Sequence, residues 1–102
     1  MHLTLRQLKI FEAVARHLSF SRAADELHLT QPAVSMQVRS LEEAAGLPLT
    51  EQVGKKIFLT EAGGELARHA RVVAQQLREA EEALAAMKGL RGGLLNIAAV
   101  ST

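Results

Sequence analysis

The side chains of this sequence that could do bond-making or phosphate chemistry are few: His2, His17, His28 and His69, Ser35, and the tripeptide Gly54-Lys55-Lys56. The histidines are scattered and none stands in HxxxH spacing, so scattered surface or boundary histidines are a better reading than a metal site. Ser35 lacks the flanking glycines of a nucleophile elbow, and no His/Asp partner stands at useful spacing. The Gly-Lys-Lys run is not a nucleotide-binding loop. That motif needs glycine where Leu49 stands and Ser or Thr where Lys56 stands. A small hydrolase is therefore a weak reading, and the chain is expected not to be an enzyme.

Recognition chemistry is better represented. In LTQPAVSMQVRSLEE, residues 29–43, a helix capped by Thr30 sends Val34, Val38, Leu41 and Ala45 to one side, at the spacing of a buried stripe. At 100° per residue the opposite arc holds Pro32, Ser35, Met36 and Arg39, with Gln31 at its edge. No acidic residue lies between Glu26 and Glu42. An ordinary solvated helix side carries several Glu and Lys residues as solubilising pairs, whereas this arc carries one charge. Hydrogen-bonding side chains without acids suit a face laid against nucleic acid. Lys55 and Lys56, beside that helix, suit phosphate contacts; alone they would read as a solvated turn.

The elements that position these residues are legible in outline. Residues 3–18 read as a helix with Leu8, Phe11, Ala15 and Leu18 on one stripe, flanked by Leu5, Ile10 and Val14. Ser19 and Ser21 are cap candidates for a short second helix, RAADELH, and a break at Leu29 and Thr30 leads into the next helix. Pro32 in the first turn costs no helical hydrogen bond and its fixed φ favours a sharp start. Gly46 and Pro48 stop that helix, and TEQVGKKIFLT reads as two short strands around Gly54, Lys55 and Lys56.

From Thr60 the period changes. Leu66, Ala70, Val73, Leu77, Ala80, Leu84 and Met87 recur at alternating spacings of four and three, the seam of a coiled helix pair. Too little protein is expected to cover three heptads projecting past a globule of about sixty residues, so self-association is the favoured reading. Mixed flanks (Arg71, Arg78, Glu79, Glu81, Glu82) suit antiparallel pairing without fixing the orientation. Gly63 and Gly64 weaken the first turn and suggest a hinge there. Gly89, Gly92 and Gly93 are expected to end the helix, with Leu94 to Val100 as the first strand of a further domain. The expected fold is mainly α: a winged helix-turn-helix over 1–59, a dimerising linker helix over 60–89, and a hinge and strand over 90–102.

Bulk properties bound the rest. With 102 residues and a net charge of +1, a nucleic-acid partner must be argued from where the charges lie. The absence of cysteine excludes disulfides and fits a reducing compartment. The charged start, MHLTLRQLKIFE, is unlike a signal peptide, and no stretch approaches the roughly 18 apolar residues of a membrane span. A cytoplasmic protein without membrane contact is expected.

TLRQLKIFEAVARHLSFSRAADELHLTQPAVSMQVRSLEEAAGLPL and the following LTEAG resemble the amino-terminal part of LysR-type bacterial transcriptional regulators, over nearly the whole chain. RQLKIFEAVA, SRAADELHLTQPAVSMQ and EQVGKKIFLTEAG look most like the regulators of carbon-fixation operons within that family. The resemblance implies double-stranded DNA as partner, with Gln31, Pro32, Ser35 and Met36 in or over the groove and Ser21, Thr30 and Lys55 approaching phosphates. Arg22 and Arg39 add cations, and Lys56 a further phosphate contact. It also implies a homodimer through the linker helix, a tetramer for the full-length protein, and an absent effector-binding domain that senses a small metabolite, with no cofactor in residues 1–102. Many relatives carry phenylalanine, arginine and arginine where Thr50, Gln52 and Met36 stand. The alternative is a protein–protein interaction module built on the coiled helix.

Overall fold

The computed structural model describes the backbone of residues 1–97 and the side chains of residues 1–89. Four helices and one hairpin follow in chain order: α1 (Leu5–His17), α2 (Phe20–Leu27), α3 (Gln31–Ala45), β1 (Thr50–Val53), β2 (Lys56–Leu59) and α4 (Glu61–Ile97). Each of the first three helices starts on a hydroxyl side chain in extended backbone. Thr4 accepts from the Gln7 N–H in a reciprocal capping box, Ser19 from the Arg22 N–H at 3.1 Å, and Thr30 from the Ala33 N–H at 3.2 Å. Ser19 is thus the cap of α2, and Ser21 lies inside the helix, which begins two residues earlier than its RAADELH core suggests.

The three helices end in left-handed residues, Leu18, His28 and Gly46, whose reversal of the chain lets successive helices cross at short range. Only Gly46 adopts this conformation without a Cβ penalty; Leu18 and His28 hold it at φ 50° and 57°. The hairpin pairs Thr50 with Leu59 and Val53 with Lys56, and Gly54, at φ 64°, turns it.

One core joins α1, α2, α3 and the loop before the hairpin: Ile10, Phe11, Ala13, Val14, Ala23, Ala24, Val34, Val38, Leu41 and Leu49 are buried. The α3 stripe is the expected one, although Ala45 is only half-buried. The α1 face differs. Ile10, Phe11, Ala13 and Val14 form its buried surface, while Leu8 and Ala15 are half-buried and Leu18 is exposed. Helix α1 touches α2, α3 and α4, and a helix with neighbours on several sides buries a broad arc rather than one stripe.

At the start of α4, where the glycines suggested a hinge, Thr60 caps the helix, accepting from the Gly63 N–H at 3.0 Å and donating its own hydroxyl to the Pro48 carbonyl at 2.7 Å. Gly63 is glycine because a Cβ there would stand 1.9 Å from the Leu49 carbonyl oxygen. The helix also does not stop at Gly89. It runs through Gly92 and Gly93 to Ile97, so positions 94–97 are helical rather than a strand, and the remainder of the expected strand lies outside the described residues. Three glycines lower helix propensity by about 1 kcal/mol each relative to alanine.

The seam of α4 divides. Leu66 and Ala67 pack against the core, and Ala70 and Ala74 are buried at 1 % and 8 % exposure, because this part of the helix lies on α1. Val73 and Leu77 are half-buried. The globule therefore covers more of the seam than its size suggested, with Leu66 half-buried against the core and Ala70 buried within the domain. Ala80, Leu84 and Met87 are exposed on the projecting part, which makes the molecule 63 Å long and 27 Å wide.

Candidate nucleic-acid interface

Helix α3 stands with Val34, Val38 and Leu41 fully in the core, and that anchoring fixes the direction of its other face. Gln31, Pro32, Met36 and Arg39 are exposed there and Ser35 is half-buried. Gln31 and Ser35 are one turn apart, and the Gln31 amide donates to the Ser35 hydroxyl at 2.9 Å. This pair still offers the Gln31 carbonyl oxygen, its second amide hydrogen and the Ser35 hydroxyl hydrogen to an outside partner. Thr30 is exposed at the start of the helix, its oxygen engaged as the cap.

Beside this face lies a cleft of about 700 Å³ between the start of α2 and the hairpin. Ser19, Phe20, Ser21 and Arg22 form one wall, Gln52, Lys55, Lys56, Ile57 and Phe58 the other, and Gln31 is shared with the α3 face. Among the described residues no acidic side chain lines it, and three cations do. The start of α2 adds the positive end of a helix dipole, so the cleft favours an anion. The hairpin turn is braced by the Gln52 amide, which donates to the Gly54 carbonyl at 3.3 Å. Ser21, Arg22, Gln31, Lys55 and Lys56 are thus gathered in the cleft, and Pro32, Ser35, Met36 and Arg39 on the adjoining helix face. The expected subunit-contact residues are far more dispersed in environment, as described for α4.

Two acidic residues that sequence reasoning did not single out hold this arrangement in shape. Glu26 receives two guanidinium hydrogen bonds from Arg16, at 2.7 and 2.5 Å, and lies 2.7 Å from His17 Nε2. Arg16 also donates to Glu12, at 2.9 and 3.2 Å, so one side chain ties the end of α1 to the end of α2. The Arg16 guanidinium, and after it His17, pull the Glu26 carboxyl down to about 2, while the two carboxylates raise Arg16 still further above its ordinary range. The pair is solvent-accessible, so its contribution is geometric more than energetic. Glu42 turns inward from the end of α3 and accepts from the buried Leu49 N–H at 2.8 Å and the Thr50 N–H at 3.4 Å, fastening the hairpin to the helix. Only the Glu12–Arg16 spacing of four was visible in the sequence; Glu26 is brought to its partners by helix crossing, and Glu42 to its own by the turn of the chain after α3.

Among the described residues no group of three His, Asp or Glu side chains is placed to hold a metal ion, and no helix is long and apolar enough to cross a membrane.

Comparison with known proteins places this geometry. The family described as bacterial regulatory helix-turn-helix protein, LysR family, matches residues 5–64. A RuBisCO operon transcriptional regulator of Allochromatium vinosum is 59 % identical over 102 residues, all of this chain and 34 % of the relative. The HTH-type transcriptional regulator CbbR of Rhodospirillum rubrum is 55 % identical over 98 residues, 96 % of this chain and 33 % of that protein. The chain thus spans about a third of the length of these relatives. Among solved structures, the CbnR DNA-binding domain in complex with DNA superposes with a TM-score of 0.71 at 35 % identity, over 83 % of this chain and 99 % of that one. The BenM DNA-binding domain bound to its catB site 1 DNA gives 0.70 at 31 % identity, over 89 % and 99 %.

Proposed function

Because the chain belongs to the LysR family of bacterial regulatory helix-turn-helix proteins, we propose that it is the DNA-binding part of a transcriptional regulator of carbon-fixation genes. Its division into a reading domain over 1–59 and a linker helix beyond is part of the same proposal. Helix α3 enters the major groove with Gln31, Pro32, Ser35, Met36 and Arg39 toward the base edges. The backbone of one strand runs through the cleft, where Ser21, Arg22, Lys55 and Lys56 meet phosphates and Thr30 lies alongside. One observation carries this reading: a cleft with three cations and no acid adjoins a helix face that has one charge and no acid, on the two sides of the shared Gln31. An otherwise near-neutral chain has segregated its charge where a polyanion would lie.

A second copy of the chain pairs through the projecting half of α4, at Ala80, Leu84 and Met87, with Val73 and Leu77 at the margin. Two reading helices on one dimer call for two half-sites, and the spacing follows from the helix pair. The greater length of the relatives leaves room for the effector-binding domain that the resemblance implies; small-metabolite sensing and tetramer assembly are assigned there, and no cofactor is assigned to residues 1–97. No catalytic role is given to Ser35, whose oxygen accepts from Gln31. The cytoplasm is the corresponding location.

Footprinting of the protein on the DNA upstream of its own gene and of the carbon-fixation operon tests the proposal. Protection of a site with two related halves, lost steeply with rising salt, is expected. Equal affinity for operator and scrambled duplex would overturn it in favour of an interaction module.

A further inference from the structure

Met36 is out of keeping with the face it occupies. Among the described residues it is the one large apolar side chain of α3 left exposed, at 68 % of its surface, whereas Val34, Val38 and Leu41 turn to the core. Its neighbours are polar or small: Gln31 and Ser35, which bond to each other, Pro32 one turn before it and Arg39 one turn after. A thioether on an unbranched stem donates no hydrogen bond, accepts weakly and adapts its shape. Against a major-groove edge it therefore has little to gain from guanine, cytosine or adenine, whose edges are donors and acceptors that would lose water without a replacement. One base offers an apolar group there, the C5 methyl of thymine.

We propose that Met36 is a specificity-determining residue that selects thymine at one position of each half-site by burying its thioether against the C5 methyl. This rests on the reading of α3 as the groove helix, and adds which base atom the exposed methionine takes. The neighbouring Gln31–Ser35 pair supplies the polar contacts, so the thymine is chosen at a position next to, and distinct from, the ones they read.

The test starts from duplexes selected by the protein out of a randomised pool. Each thymine of the selected half-site is replaced in turn by deoxyuracil, which removes the methyl and keeps every hydrogen-bonding atom. One replacement per half-site is expected to weaken binding about fourfold, and about fifteen-fold when both half-sites carry it, the worth of roughly one buried methyl each. Met36→Leu should keep that sensitivity and Met36→Ala should lose it. Met36→Arg, which brings a donor fork, should move the preferred base at that position to guanine. Indifference of the parent protein to every deoxyuracil, a penalty that persists in Met36→Ala, or retention of thymine preference by Met36→Arg would overturn the assignment. A pool that yields no preferred sequence would instead bring down the groove-helix reading itself, so the two failures are told apart.

Discussion

At the scale of single residues, the contact between Gln31 and Ser35 changes what mutation should show. Either residue replaced by alanine is expected to reduce discrimination between operator and scrambled duplex by about 1 to 3 kcal/mol, with little change in non-specific binding. The double replacement should cost less than the sum, because each side chain orients the other; titration of the four proteins on both duplexes closes the cycle. Strict additivity would mean that the two side chains act on DNA independently. The lysines of the hairpin predict a different signature. If Lys55 and Lys56 each neutralise a phosphate, a dimer makes four such contacts, and replacing both by alanine flattens the log–log salt dependence by roughly 3 to 4 units while preserving the preferred sequence. Binding isotherms between low and physiological salt measure the slope. A slope equal to the parent's would place the hairpin clear of the backbone and leave Arg22 and Arg39 to carry the electrostatic attraction.

At the scale of elements, the start of α4 is the joint on which the cleft's geometry depends. Thr60, Pro48, Leu49 and Glu42 form a chain of hydrogen bonds linking α3, the hairpin and α4. The adjacent glycines within it have opposite roles. Gly63→Ala would drive a methyl to 1.9 Å from a backbone carbonyl oxygen and must displace either α4 or the hairpin. Gly64 has no atom within 4 Å of an added Cβ. In denaturant unfolding, Gly64→Ala is expected to stabilise the domain by up to about 1 kcal/mol, the ordinary gain of alanine over glycine in a helix. Gly63→Ala should destabilise it by at least about 2 kcal/mol, since the contact is with rigid backbone. Similar effects of the two substitutions would show that the close approach at Leu49 is not maintained in solution.

At the scale of the whole molecule, the covered and projecting halves of α4 are expected to separate folding from the proposed pairing of two copies. Leu66 is half-buried and packs against the core, Leu77 is half-buried, and Leu84 is 67 % exposed with its neighbours Ala80 and Met87. Leu84→Asp should therefore turn dimers into monomers at micromolar concentration without lowering monomer stability, because an unpaired carboxylate is costly only where a second copy would bury it. Leu66→Asp should unfold the domain at any concentration. Sedimentation equilibrium paired with thermal unfolding distinguishes the two, and a Leu84→Asp dimer as tight as the parent would move the subunit contact elsewhere. Loss of dimerisation should also weaken operator binding far more than binding to a single half-site, since joining two reading helices raises their effective concentration on adjacent half-sites.

Local chemistry was enough to foresee much of this protein. A hydroxyl cap followed by Pro32, the Val34–Val38–Leu41 stripe, the stop at Gly46 and the turn at Gly54 act within a few residues of themselves, so the order of helices, the hairpin and the polar face of α3 follow from adjacent residues alone. The sorting of candidate site residues into a cleft and a helix face does not, because Arg22 and Lys55 meet only through the packing of α2 beside the hairpin. The same holds for the Arg16–Glu26 link and for Glu42 beneath Leu49, which join residues 10 and 7 positions apart across changes of chain direction. Periodicity also could not tell which half of the α4 seam was already occupied. A heptad repeat states that an apolar stripe exists; whether α1 or another chain covers it depends on where the domain ends along the helix, and that is decided by tertiary packing.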